Sequence, residues 1–340
     1  MEAAAAPSRW DVVGNFSGQH SGNRRSRKPK KWRQNIKQTK QMKQTTTPMK
    51  YYVTYLLFIY VTLNCCGQTS NKQAVEQTAS VAETTVSEIA TKSIIDEKGM
   101  TLQTRFNPPR GFQRKTVDEL SFESYLRNLP LKPAGAKVKY YNGSIKNSDV
   151  YDAVVDMDIS NKDLQQCADA IMRLRGEYFY SIKAYDKISF TLTNGFKMDY
   201  TEWINGNRVI VNGNKTVWRK TAEPSNTYKD FRNYMEFVFT YAGTLSLSKE
   251  LHSKNVKDIA IGDVFILGGS PGHAVIVVDV AENDNGEKVF LLAQSYMPAQ
   301  ETQILKNNND DKISPWYSAN IVGSLYTPEW TFEVGQLKTW

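Results

Sequence analysis

The chain holds little cysteine and little histidine, three of each in 340 residues. It has no Cys-x-x-Cys pair, no His-Glu-x-x-His string and no histidine-rich tract, which leaves a thin ligand set for a metal. It also lacks a phosphate loop and a dinucleotide fingerprint: the glycines at 268, 269 and 272 precede a strand pattern, whereas those motifs open a helix. Glu177, Asp199 and Glu202 are not paired by spacing in the way a glycosidase requires. No internal repeat is visible. No metal and no cofactor are therefore expected.

Most of the chain lacks excess positive charge as well. Residues 1–48 carry 11 Lys/Arg against two acids, Glu2 and Asp11, while the remainder carries 32 basic and 33 acidic residues. The net charge of +8 thus sits entirely in the front segment. The run RRSRKPKKWR at 24–33 admits a nucleic-acid reading. An unstructured leader that is not part of the natural protein accounts for it as well, and no nucleic-acid partner is expected.

From Met49 the chain reads MKYYVTYLLFIYVTLNCCGQT. Lys50 is a short positive region, and 53–63 is an apolar run of 11 residues, too short for a bilayer span of about 20 residues. Leu63-Asn64-Cys65-Cys66 follows and resembles a bacterial lipoprotein signal, with Leu three places before the modified cysteine. The expected layout is a signal peptide over 49–65, lipid on Cys66 (with Cys65 the alternative) and a solvated Thr/Ser/Ala/Glu/Gln-rich tether over 66–100. A short uncleaved anchor is the other reading. Either one exports the rest, to a periplasm-facing position on an inner or outer membrane. Cys167 is then the lone thiol, without an intramolecular disulfide partner.

Residues 101–340 read as a single globular α+β domain. Helices are expected over 116–128, with Thr116 and Glu119 as a capping box, over 161–180, and over 227–245. In the second, Leu164, Cys167, Ile171, Leu174 and Tyr178 share one face. Strands are expected over 137–141, 153–157, 187–193, 208–211, 216–219, 263–267, 273–280 and 289–296. The last two are joined by a two-residue turn at Asn285-Gly286. The tail, with Trp316, Tyr317 and Trp330, reads as loops packed by aromatics.

The most informative stretch is 262–280, GDVFILGGSPGHAVIVVDV. A Gly-Asp strand, a glycine-rich turn and a histidine opening the next apolar strand present an imidazole at the mouth of a cleft. Cys167 upstream and Gln294 downstream complete the Cys, His, polar-orienter order of papain-like thiol hydrolases. The strings DLQQCADAIMRLRGEY (163–178), LRNLPLKP (126–133), FTYAGTLSLSKEL (239–251), GDVFILGGSPGHAVIVVD and LLAQSYMPAQ (291–300) resemble domain of unknown function 4846, a family of exported bacterial proteins. The resemblance covers roughly 100–335 and implies a Gram-negative envelope setting; it implies no activity. The Gly262-Asp263-Val264, Gly272-His273 and late polar residue also resemble CHAP-type and NlpC-type cysteine amidases of peptidoglycan. That likeness implies a papain-like fold with a cysteine helix, a second long helix and a C-terminal antiparallel sheet. The Cys-to-His gap of 106 is longer than usual there.

In the catalytic reading Cys167 is the nucleophile, His273 its base and Gln294 the orienter. Competing readings stay open at each position. Cys167 lies on an apolar face as a core cysteine would; with the helix capped at Ser160 or Asn161, it falls in the second turn, past the reach of the helix dipole. His273 could be a backbone-bonded strand-end histidine, and His252 a solvated one. A two-residue turn sets Gln294 opposite Val277, on the face of His273 but about 13 Å along the strand, so twist or a bulge must close the gap. Tyr296 and Asp279 are substitutes on that face. Gln165 or Gln166 could supply an oxyanion donor, and Ser270 and Ser295 are the nearby alternative nucleophiles. Tyr200, Trp203, Trp218, Trp316, Tyr317 and Trp330 could line a groove, or fill cores. The expected function is a lipid-anchored envelope protein acting as a cysteine amidase or peptidase on peptidoglycan stem peptides or envelope proteins. The alternative is a non-catalytic envelope binding or assembly lipoprotein on the same fold.

Overall fold

The computed structural model describes residues 93–340. The basic leader, the signal segment, Cys65, Cys66 and most of the tether lie outside the described residues. Residues 93–100 are bound to the domain: Asp96 N donates to Arg105 O at 2.8 Å, and the buried Arg105 Nε donates to Gly99 O at 2.8 Å.

The domain is α+β, built on an eight-stranded antiparallel sheet. Its order is Tyr151–Val154, Gln303–Leu305, Lys288–Gln294, His273–Glu282, Val264–Leu267, Leu337–Thr339 and His252–Ser253, with Tyr317–Ser318 also on Lys288–Gln294. Val, Ile and Leu fill both faces of the two central strands, so each face carries its own core. One face packs Ala274, Ile276, Val278, Leu291 and Ala293 against the helices Cys167–Ser181 and Phe122–Arg127, with Tyr228–Tyr241 packed on the first of these. The other packs Val275, Val277, Phe290 and Leu292 against a C-terminal hairpin, Ser324–Tyr326 with Thr331–Glu333.

Several element boundaries differ from expectation, each for a local reason. The first helix begins at Phe122, because Ser121 rather than Thr116 accepts from the backbone of Ser124. The cysteine helix begins at Cys167, not 161. Asp163 spends its carboxylate on the Ala299 N–H at 2.6 Å, which holds the preceding segment on a neighbouring loop. The Asp169 side chain instead accepts from Gln166 N at 3.1 Å and starts the helix. The third helix breaks at Ala242-Gly243, giving Tyr228–Tyr241 and then Thr244–Glu250. Residues 137–141 make only isolated bridges. The tail, expected as loops, contributes five short strands: Gln303–Leu305, Tyr317–Ser318, Ser324–Tyr326, Thr331–Glu333 and Leu337–Thr339.

Two departures in the central hairpin cancel. Asn283 N donates to Glu287 O at 3.0 Å, so the turn spans three residues (284–286), not two, with Gly286 at φ +78. One extra turn residue alone would send Gln294 to the opposite face from His273. A bulge between Val277 and Asp279 then shifts the register again, pairing Ile276 with Ala293. Gln294 returns to the His273 face and lies closer along the strand than a regular ladder allows.

Candidate functional site

His273 sits on a turn that tolerates no side chains at two of its glycines. A Cβ on Gly272 would lie 2.5 Å from both Gly269 O and Thr244 Oγ1, and one on Gly268 would lie 2.1 Å from Ser248 Oγ. The turn is pressed onto the helix Thr244–Glu250, and Thr244 Oγ1 donates to Gly269 O at 3.2 Å. This close packing fixes the start of the histidine strand.

The imidazole meets Gln294: His273 Nε2 and Gln294 Oε1 are 2.9 Å apart, both residues buried. An amide oxygen only accepts, so the ring nitrogen donates and Nδ1 keeps its lone pair. Gln294 Nε2 in turn donates to Glu329 Oε2 at 2.5 Å, and Lys146 Nζ lies 2.6 Å from the same oxygen. Tyr296, Trp330 and Phe332 surround the ring, with centroid distances of 4.6, 5.3 and 5.9 Å. Burial pushes the His273 pKa down to about 4; the Gln294 bond opposes this and Lys146 adds to it.

The neutral ring has a consequence for stability. The imidazole titrates at 6.5 by its ordinary value and at about 4 when folded. Above pH 6.5 both states are neutral. As pH falls from 6.5 toward 4, the unfolded chain binds a proton that the folded chain refuses, so stability drops by about 1.4 kcal/mol per pH unit. Urea unfolding at pH 7 and 4.5 is expected to show wild type losing about 2–3 kcal/mol more than His273→Asn. Equal losses would mean that the ring charges freely in the folded protein.

Cys167 is the first residue of its helix, 6% exposed. Its thiol faces the backbone N–H groups of Ala168, Cys167 itself and Ala274, the residue that follows His273. The objection that the cysteine falls in the second turn is thereby removed, and the helix-end donors favour a thiolate. Burial outweighs them. With the nearby Asp169 carboxylate acting in the same direction, it pushes the thiol up to about 11. At neutral pH the site therefore rests as thiol and neutral imidazole.

The substitutes fare differently. Asp279 does not orient His273: beyond the bulge it is fully buried between Arg114 at 2.5 Å and Arg127 at 2.8 Å. Tyr296 packs against the ring at a tilt of 57° instead of orienting it by a hydrogen bond. Ser295 Oγ is held by the carbonyls of Gln165 and Gln300 at 3.0 and 2.7 Å, whereas Ser270 is exposed. Gln166 Nε2 is committed to Asp163 at 3.1 Å. Gln165 accepts from Arg173 at 3.0 Å, and its buried Nε2 has no partner. Glu177 pairs with Arg173, Asp199 with Ser189 and Glu202 with Asn207, in three separate contacts. Tyr200, Trp203, Trp316 and Tyr317 are buried and cannot line a groove; Trp218 and Trp330 are half-buried.

Glu329 and Lys146 are the members that sequence reasoning missed. Glu329 reaches Gln294 across 35 residues and Lys146 reaches Glu329 across 183, and no spacing rule links either to Gln294. Among the described residues no group of three His, Cys, Asp or Glu could hold a metal, and no helix is long and apolar enough to cross a membrane. No curated protein and no solved structure matches the chain. The model of one family does match, over residues 102–339, which takes in the cysteine helix, the histidine turn, Gln294 and Glu329: the chain belongs to the family described as domain of unknown function 4846.

Proposed function

We propose that the chain is a papain-like cysteine amidase or peptidase with a covered resting site, anchored by lipid at Cys66 in a bacterial envelope and acting on peptidoglycan stem peptides or envelope proteins. The observation that carries this reading is the pairing of His273 Nε2 with Gln294 Oε1 at 2.9 Å, on a strand whose next residue, Ala274, turns its N–H to the thiol of a cysteine that opens a helix. Sγ of Cys167 would attack an amide carbonyl carbon while its proton passes to Nδ1 of His273. The same proton would leave with the amine as the C–N bond breaks, and water would then hydrolyse the thioester. Gln294 would keep Nδ1 aimed by holding Nε2–H. Gln165 Nε2, a buried donor without a partner, is the candidate for the oxyanion.

A second reading has its own support. A thiol 6% exposed and pushed up to about 11 suits a non-catalytic envelope binding or assembly lipoprotein on the same scaffold.

Trp330→Ala separates the two. Removing the indole lets water reach the ring and raises its proton affinity, so a coupled pair gains thiolate. Alkylation of Cys167 by iodoacetamide at pH 7, read by mass on its peptide from the full chain, is expected to accelerate about ten-fold or more. The gain should vanish when His273→Ala is added. A gain that persists without His273 is mere exposure, and would leave the binding reading in possession.

A further inference from the structure

The geometry points to Glu329, neutralised by Lys146, as the positioning residue that sets the orientation of the Gln294 amide and so the tautomer of His273. This deepens the hydrolase reading, but its test does not depend on hydrolysis.

Gln294 is flanked by two polar partners. Its Oε1 faces His273 Nε2 at 2.9 Å and its Nε2 faces Glu329 Oε2 at 2.5 Å. An imidazole nitrogen can donate or accept, so His273 alone leaves the amide free to turn by half a rotation. A carboxylate only accepts. With Glu329 in place, the flipped amide would set oxygen against oxygen and leave a buried acceptor unpaired. The carboxylate therefore demands the NH2 group, the amide presents its oxygen to the ring, and the ring must carry its proton on Nε2. The lone pair is left on Nδ1.

Lys146 supports the half-buried carboxylate here. It is 3% exposed, reaches Glu329 Oε2 at 2.6 Å and also donates to Gln300 Oε1 at 3.0 Å. One carboxylate oxygen thus receives both the lysine and the amide. A glutamine at 329 could present its own oxygen to the same two donors, whereas leucine could not.

Glu329 sits in the connection of the C-terminal hairpin, next to Trp330, which lies over the ring. The hairpin therefore supplies the polar constraint as well as the apolar cover.

The test is long-range nitrogen–proton NMR on the full chain labelled at histidine, at pH 7. His273 is assigned by its loss in His273→Asn, which leaves His20 and His252. Wild type is expected to show a single tautomer, protonated on Nε2, favoured about ten-fold or more. Glu329→Gln should keep it. Glu329→Leu combined with Lys146→Met removes both charges together, so neither is orphaned, and should lower the tautomer ratio about ten-fold. A proton on Nδ1 in wild type would overturn the inference without any substitution. So would an unchanged ratio in a double variant that still melts cooperatively. Because no substrate or thiol chemistry enters, an inert Cys167 would sink the hydrolase reading and leave this result standing.

Discussion

In the folded full chain, Cys167 will react with iodoacetamide at pH 7 roughly 100-fold or more slowly than in the chain unfolded in guanidinium. The expectation follows from the thiolate fraction. A thiol at about 11 is about one part in 10,000 thiolate at pH 7, against a few per cent for an unfolded cysteine near 8.5. Burial of the sulfur lowers access further. The folded rate should rise about ten-fold per pH unit from 7 to 10, because only the thiolate reacts. Fast labelling with a midpoint near or below 7 would mean that thiol and imidazole already rest as an ion pair, and the covered state described here would be wrong. Slow labelling alone does not choose between a latent hydrolase and an inert core cysteine; the Trp330→Ala comparison does.

The largest effect on stability is expected far from the thiol. Arg127→Leu should cost roughly 3–5 kcal/mol, the usual result of breaking a buried ion pair from one side. Asp279 is fully buried, and Arg127 Nε supplies one of its two oxygens at 2.8 Å. The same guanidinium donates to Lys115 O at 2.8 Å and Val280 O at 3.3 Å, so its loss also strands backbone acceptors. Arg114, at 2.5 Å from the other carboxylate oxygen, remains but cannot reach both. Thermal unfolding should fall by about 10 °C. A shift of only a degree or two would mean that Arg114 and water satisfy Asp279 without Arg127.

The strands of the central sheet were readable because their apolar runs are bounded by Gly262, the 268–272 turn and Asn285-Gly286. The histidine's place at a strand start was readable for the same reason. The approach of Gln294 to His273 required a bulge that no residue between Val277 and Asp279 announces, all being ordinary strand formers apart from the aspartate. The helix does not start behind Ser160 or Asn161 because Asp163 accepts from the Ala299 N–H, a contact across 136 residues that holds this segment on a neighbouring loop. The C-terminal hairpin was missed since Ser324–Tyr326 and Thr331–Glu333 are three residues each, too short for a period-2 pattern to register. With it went Glu329. The burial of Cys167 is legible in the apolar helix face it shares with Ile171 and Leu174.

The bulge in the histidine strand makes the site's composition a matter of counting. Continued as a regular ladder with Val278 paired, the register of Asp279 with Leu291 would carry Ser295 to the place opposite Val275, and Gln294 would turn its amide toward the helices. A single-codon deletion at Val278 would straighten the bulge and keep this register, whereas one at Val275 would move His273 one place along and set the short hydroxyl of Ser295 opposite the ring in place of the long amide. For this sheet, insertions and deletions in the middle of a strand are functional mutations, and comparisons among relatives that score only substitutions would overlook them.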